Sequence, residues 1–221
     1  MGASWHKVLA PMKHLIDFLI HGGGLLALTA VVFAETGLLV GFFLPGDSLL
    51  VTAGIYATSA NPDKVPLFNI VWLNLALMAA AVIGDTVGYW IGAKAGPKLF
   101  TREQSLLFSK KHLLRTHEFY QRHGGKTIII ARFLPFARTF APVVAGIAEM
   151  AYRRFLAFNL IGGLGWVFSM TMLGFTLGKI WPPITDRIEV VIIVIVFVSL
   201  LPGIVSYLAN RKKPANPTVV T

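Results

Sequence analysis

A 221-residue chain that is 55% hydrophobic and 14% charged lies well below the roughly 25% charge of soluble globular proteins. Its composition is that of a membrane protein, in a length that fits one domain. With no cysteine, a disulfide framework and a thiolate metal site are both excluded, and the net charge of +10 reflects basic cytoplasmic loops beside anionic lipid rather than a nucleic-acid partner.

Residues 1–24 contain Asp17 and have no small-residue cleavage site after an apolar core, so no signal peptide is read. Trp5, Val8, Leu9, Met12, Leu15, Ile16 and Leu19 recur at helical spacing and predict an amphipathic helix at the membrane interface. Residues 25–210 follow as the transmembrane domain. Residues 25–44 are apolar apart from Glu35 and long enough to span. The next arm, 48–57, is too short, since a crossing needs about 20 residues. The pair predicts a re-entrant hairpin over 30–58, with a full crossing by 25–44 as the alternative. After a polar loop at 61–66, residues 67–93 predict a crossing. It ends in Gly84, Gly88, Gly92 and Gly96, on one helix face, where small residues let helices approach. Asp85, beside Gly84, is a secondary site candidate. Residues 96–126 are basic and extramembrane. His112, His117 and His123 there lack the i, i+4 spacing of a helical zinc pair, so the segment reads as a solvated basic face and no metal is expected.

The most informative stretch is 128–146, IIIARFLPFARTFAPVVAG. An arginine at the centre of a spanning helix costs about 2.5–3.5 kcal/mol on insertion scales, and proline removes a backbone donor. Arg132, Arg138, Pro135 and Pro142 therefore argue against a plain crossing and predict a second re-entrant hairpin, over 127–148. Broken backbone at that depth is tolerated only where protein or water surrounds it. FLPGDSLLVTAG at 43–54 and FLPFARTFAPVVAG at 133–146 share their beginnings and ends, with Pro45-Gly46 and Pro135 at the tips. Such paired interrupted segments point to a transporter's site. Crossings at 155–178 and 190–209 flank a short loop at 179–187, and 211–221 reads as a basic, disordered tail. Lys and Arg crowd 96–126, 147–154 and 210–221, which places those segments and the C-terminus in the cytoplasm. The fold class expected is an all-α integral membrane protein: an inverted repeat whose two hairpins meet at the membrane midplane.

Glu35, Asp47, Arg132 and Arg138 converge in that arrangement. Two ion pairs locking the hairpins together is one reading. The other is a substrate and proton pathway, the default for ionisable groups in a membrane. Arginine forks suit phosphate oxygens, and half-helices starting after Pro45 and Pro135 point their positive ends at the same place. A turn at Pro135 is expected to bring Arg132 and Arg138 to one cavity, where they hold a phosphate. Glu35 and Asp47 neutralise them when the site is empty and carry the coupling proton.

At these residues the sequence resembles the DedA family of bacterial inner-membrane proteins, which share a VTT domain with eukaryotic lipid scramblases. The matching residues are Glu35 with FLPGDSLL (43–50), GDTVGYWIG (84–92), FYQRHGGKTIIIARFLPFARTFAPVVAG (119–146), Asn159 and Trp166. In that family the counterparts of Glu35, Asp47, Arg132 and Arg138 are the functional residues. The resemblance implies proton-motive-force-dependent transport, envelope maintenance and, for some members, recycling of undecaprenyl phosphate. The expected function is a lipid flippase of that kind in the bacterial inner membrane. Membrane lipids, a polyprenyl phosphate and protons are its partners, with a homo-oligomer as a further option and no cofactor. The alternatives are a proton-coupled antiporter for a small ion or drug, an intramembrane lipid phosphatase, and a scaffold for other envelope proteins. No GxSxG or HExxH run supports the phosphatase, and the chain is read as a non-enzyme.

Overall fold

The two longest apolar runs fold as the two longest helices. The computed structural model describes residues 23–38, 46–58, 67–99 and 126–188, with 190–195, 197 and 201. The expected interfacial helix in 1–24, most of the basic segment, Pro45, the second half of the crossing at 190–209 and the tail lie outside the described residues. All regular structure among the described residues is helical: α1 (Gly24–Gly37), α2 (Gly46–Tyr56), α3 (Ile70–Leu99), α4 (Pro135–Ile147) and α5 (Tyr152–Ile180). A short helical stretch at 126–131 precedes α4. In place of the loop expected at 179–187, α5 runs on to Ile180 and a 3₁₀ turn, Pro182–Arg187, packs back on it.

Within α3 and α5, residues 70–96 and 152–180 are long and apolar enough to cross a membrane. α3 starts where Asn69 caps it, its Oδ1 accepting from the amide of Val71 at 2.9 Å, which satisfies a donor the first turn leaves open. The other helices are short. α1 has 14 residues, a length of about 21 Å, and stops at Gly37. Leu38 follows it as its C-terminal cap.

The two long helices are antiparallel. Thr171 donates to Asn74 at 2.8 Å, Asn159 donates to the Val82 carbonyl at 3.1 Å, and Tyr89 stacks on Phe155 at 4.7 Å between ring centroids. Partners thus ascend one helix as they descend the other. Every shorter element rides on one of this pair. α1 and α4 pack on α3, and α2 packs on α5. The 126–131 stretch lies against α5 at Gly162.

Glycine makes these contacts close, and it does so in matching ways. A Cβ on Gly92 would strike the Val143 backbone, and one on Gly146 would strike the Tyr89 carbonyl. On the other long helix, a Cβ on Gly174 would strike Val51, and one on Gly54 would strike Thr171. The VTAG at 51–54 and the VVAG at 143–146 therefore use the same two positions, three apart, to seat α2 on α5 and α4 on α3. The glycine face expected on α3 is used in full: Gly84 meets Thr36 and Phe33 of α1, Gly88 meets Pro142, and Gly96 meets Ile147.

Large apolar side chains remain on the outside, among them Val71, Trp72, Leu75, Ile83, Trp90 and Ile91 of α3. Trp72 and Trp90 lie 18 positions apart on one helix, an axial rise of about 27 Å. That separation matches a hydrocarbon layer about 30 Å thick with an aromatic residue at each boundary.

The glycine seams give a direct expectation. Gly146→Val and Gly54→Val each place carbon atoms onto the backbone of a long helix and should lower stability by about 1–3 kcal/mol, the usual cost of overpacking. Gly165 has no atom within 4 Å of a Cβ position, so Gly165→Ala should leave stability equal or raise it by about 0.5–1 kcal/mol, since alanine is the better helix former. Thermal unfolding of the detergent-solubilised variants, followed by circular dichroism, reads both; equal midpoints for all three would remove the seams as determinants.

Candidate functional site

The site forms where the short helices stop. Arg138 sits in the first turn of α4, an unfavourable place for a cation, because the helix dipole presents its positive end there. Its guanidinium is compensated from two other helices: Nη2 donates to Glu35 Oε1 at the end of α1, and Nη1 donates to Asp47 Oδ1 in the first turn of α2. Asp47 stands at a helix start, where an acid is favoured. α5 supplies the fourth wall. Trp166 Nε1 donates to Asp47 Oδ1 at 2.9 Å, and the Arg138 guanidinium lies 4.8 Å from the Trp166 ring centroid. That is within cation–π range.

Glu35 and Gly46 are fitted to one another. Any Cβ on Gly46 would overlap the Glu35 carboxylate, so only glycine lets α2 begin this close to the end of α1. Pro135 opens α4 at its first position, where its missing N–H costs nothing. Pro142 lies inside the helix and cannot donate to the carbonyl of Arg138, four residues earlier.

Arg132 belongs to a second network. It lies in the turn between 126–131 and α4, and its Nη2 donates to Asp85 Oδ2 of α3 and Asn159 Oδ1 of α5. Gly162 and Gly163 make its channel: a Cβ there would lie 3.1 Å from Arg132 Cγ and 3.3 Å from Nη2. Glu35, Asp85, Arg132 and Arg138 retain only 1%, 1%, 2% and 7% exposure, so these are charges taken out of solvent. Their hydrogen-bonding capacity is not exhausted. Among the described residues, Glu35 Oε2, Asp85 Oδ1, Arg132 Nη1 and Arg138 Nε are buried without a partner. Such groups cost about 1–3 kcal/mol each, more when charged.

The sequence expectation set Glu35 and Asp47 against both arginines. The structure gives both acids to Arg138 and assigns Arg132 to Asp85, so the secondary candidate is an integral partner. Trp166, Asn159, Gly162 and Gly163 received no role from the sequence. The available signal was weak: a polar amide and an indole N–H within an apolar helix, each of which needs a partner when buried.

A family model described as the VTT domain matches residues 44–176, from the start of α2 to near the end of α5. Protein DedA of Escherichia coli (strain K12) is 42% identical over 214 residues, covering 91% of this chain and 95% of that protein. An uncharacterized membrane protein of Mycobacterium tuberculosis (strain ATCC 25618 / H37Rv) is 42% identical over 212 residues, 94% of this chain and 91% of its own. Inner membrane protein YghB of Escherichia coli (strain K12) is 36% identical over 160 residues, 72% and 69% of the two chains. No solved structure matches the chain.

Removing one member of the Arg132 pair tests how it is held. Asp85→Ala leaves a buried guanidinium without its carboxylate and should destabilise by about 3–5 kcal/mol. The double change Asp85→Leu with Arg132→Met replaces the pair by apolar side chains and should recover most of that stability. Chemical denaturation of the purified variants measures it. A double variant no more stable than Asp85→Ala would mean that the pair is not the source of the loss.

Proposed function

The chain belongs to the DedA family of VTT-domain membrane proteins, and on that premise we propose that it is a proton-motive-force-driven flippase for a lipid phosphate such as undecaprenyl phosphate. It works in the bacterial inner membrane, with its C-terminus in the cytoplasm. The observation that carries this reading is the Arg138 guanidinium, buried among apolar helices and shared by carboxylates from two different helix ends. A fork that donates to two carboxylate oxygens donates to two phosphate oxygens equally well.

The helix directions support the re-entrant reading of both halves. α1 accompanies α3 and α2 accompanies α5, and α3 and α5 are antiparallel. The chain thus advances along one long helix and returns along the other. The 126–131 stretch and α4 do the same on the opposite helices. In this reading each half enters and leaves on one side, and Arg138 of the second half reaches Glu35 and Asp47 of the first.

Coupling follows from charge. Three carboxylates, Glu35, Asp47 and Asp85, face two guanidiniums, Arg132 and Arg138. With all five ionised the site carries one excess negative charge in a medium that penalises it heavily. The empty site therefore holds one proton, shared among carboxylates of which two have an unpartnered oxygen. When a phosphate takes Arg138 from Glu35 and Asp47, the released acids are left in an apolar setting. They stay there only by taking up a further proton. Phosphate and proton enter together, and a proton gradient drives the lipid. Arg132, held by Asp85 and Asn159, keeps Nη1 in reserve for the same phosphate.

Translocation of labelled undecaprenyl phosphate by the purified protein in liposomes, with and without a proton gradient, is the direct test. Glu35→Gln should remove the acceleration by the gradient. Arg138→Lys, which keeps charge but not the fork, should slow translocation about tenfold or more, equivalent to 1.4 kcal/mol or more of lost binding to the moving phosphate. Translocation that stays fully gradient-dependent in both Glu35→Gln and Asp47→Asn, or rescue of Arg138→Glu by Glu35→Arg, would reject the mechanism.

A further inference from the structure

Two carboxylates share Arg138, and their surroundings differ. Asp47 is held in its charged form from several sides. Its Oδ1 accepts from Arg138 Nη1 and from the Trp166 indole N–H, the latter at 2.9 Å. Donors to an ionised oxygen favour ionisation. An indole has a hydrogen to give and no acceptor to offer, so it has nothing to bind a proton placed on that oxygen. Asp47 also lies in the first turn of α2, where the positive end of the helix dipole favours an acid. Its side chain keeps 12% exposure.

Glu35 has the opposite setting. It lies in the last turn of α1, beside the negative end of that helix's dipole. Its side chain keeps 1% exposure, and burial away from water disfavours the charged form. Oε1 accepts from Arg138 Nη2, but Oε2 is buried with no partner among the described residues. Gly46, the first residue of α2, adjoins that oxygen, yet no amide there donates to it. The charged groups around Glu35 are Arg138, Asp47 and Arg132. Asp85 is matched by Arg132, one acid to one base, a balance that calls for no proton.

We propose that Trp166 is a positioning residue that keeps Asp47 ionised, so that the exchangeable proton of the empty site resides on Glu35 Oε2. The existence of that proton rests on the coupling reading above; its place rests on the geometry of the two acids. The proton comes from solvent and forms an O–H bond at Oε2, which removes one negative charge. Oε1 keeps its bond from Arg138. The two acids thereby divide the work: Asp47 anchors the guanidinium as a fixed charge, and Glu35 gains and loses the proton.

Infrared spectroscopy of the full chain in liposomes at neutral pH reads the C=O stretch of a protonated buried acid. Aspartate isotopically labelled at its carboxyl carbon separates the two residue types without any substitution. The expected band is insensitive to the aspartate label and is lost in Glu35→Gln. A band that shifts with the label puts the proton on an aspartate and overturns the proposal, while the coupling reading stands. No band at all removes the proton, so the coupling reading falls and this proposal with it. Acid titration of the Asp47 band, assigned by its loss in Asp47→Asn, reads the role of Trp166 in the Glu35→Gln background. Trp166→Phe keeps an aromatic ring and removes the N–H. Asp47 should then bind a proton about tenfold more tightly, with a midpoint about one pH unit higher. An unchanged or lower midpoint overturns the role given to Trp166.

Discussion

A guanidinium withdrawn from water persists inside a protein only if carboxylates are withdrawn with it, and the rest of this structure depends on meeting that condition at Arg138. Its two partners come from different helices. Glu35 lies near the end of α1 and Asp47 in the first turn of α2, so two helix ends are brought to one guanidinium. Broken backbone exposes unpaired amides and carbonyls, which hydrocarbon does not satisfy. The breaks are therefore placed against the two helices long enough to span, α3 and α5. The short helices are pressed onto them by glycines that admit backbone to backbone. Packing serves charge: Gly46 clears space for the Glu35 carboxylate, and Gly162 with Gly163 clears a channel for Arg132.

The same constraint separates a stable protein from a working one. Buried ion pairs contribute little net stability compared with apolar side chains of similar size, so two such networks in one small core are not explained by folding alone. Their unpartnered oxygens and nitrogens are also what folding alone would remove. Both features make sense if the partners are exchanged during a cycle, with phosphate oxygens and protons replacing the contacts that hold the empty site together.

Much of this was legible in the chain, because charged residues and prolines in apolar runs are rare and each needs a reason. Glu35, Asp47, Arg132 and Arg138 were found that way, and the FLP segment at 133–135 lies at the break before α4. The pairing was not legible. Arg132 reaches Asp85, 47 positions earlier, and Asn159, 27 positions later, and only tertiary packing decides between Asp85 and Glu35 as its acid. Trp166 was named only among the residues that carry the family resemblance, because its contact depends on a single N–H directed at Asp47. Hydropathy also misjudged one end. It started the fifth helix at 155, where Arg153 and Arg154 in fact lie in its first turn.

The central claim is that a phosphate and the carboxylates compete for Arg138, with protons covering the difference. Proton uptake by the purified protein in weakly buffered detergent, measured on adding hexadecyl phosphate, reads this without a membrane or a gradient. The expected result is uptake of about one proton for each singly charged phosphate bound, since a buried site does not keep an added negative charge uncompensated. Saturable phosphate binding with no proton taken up would contradict it.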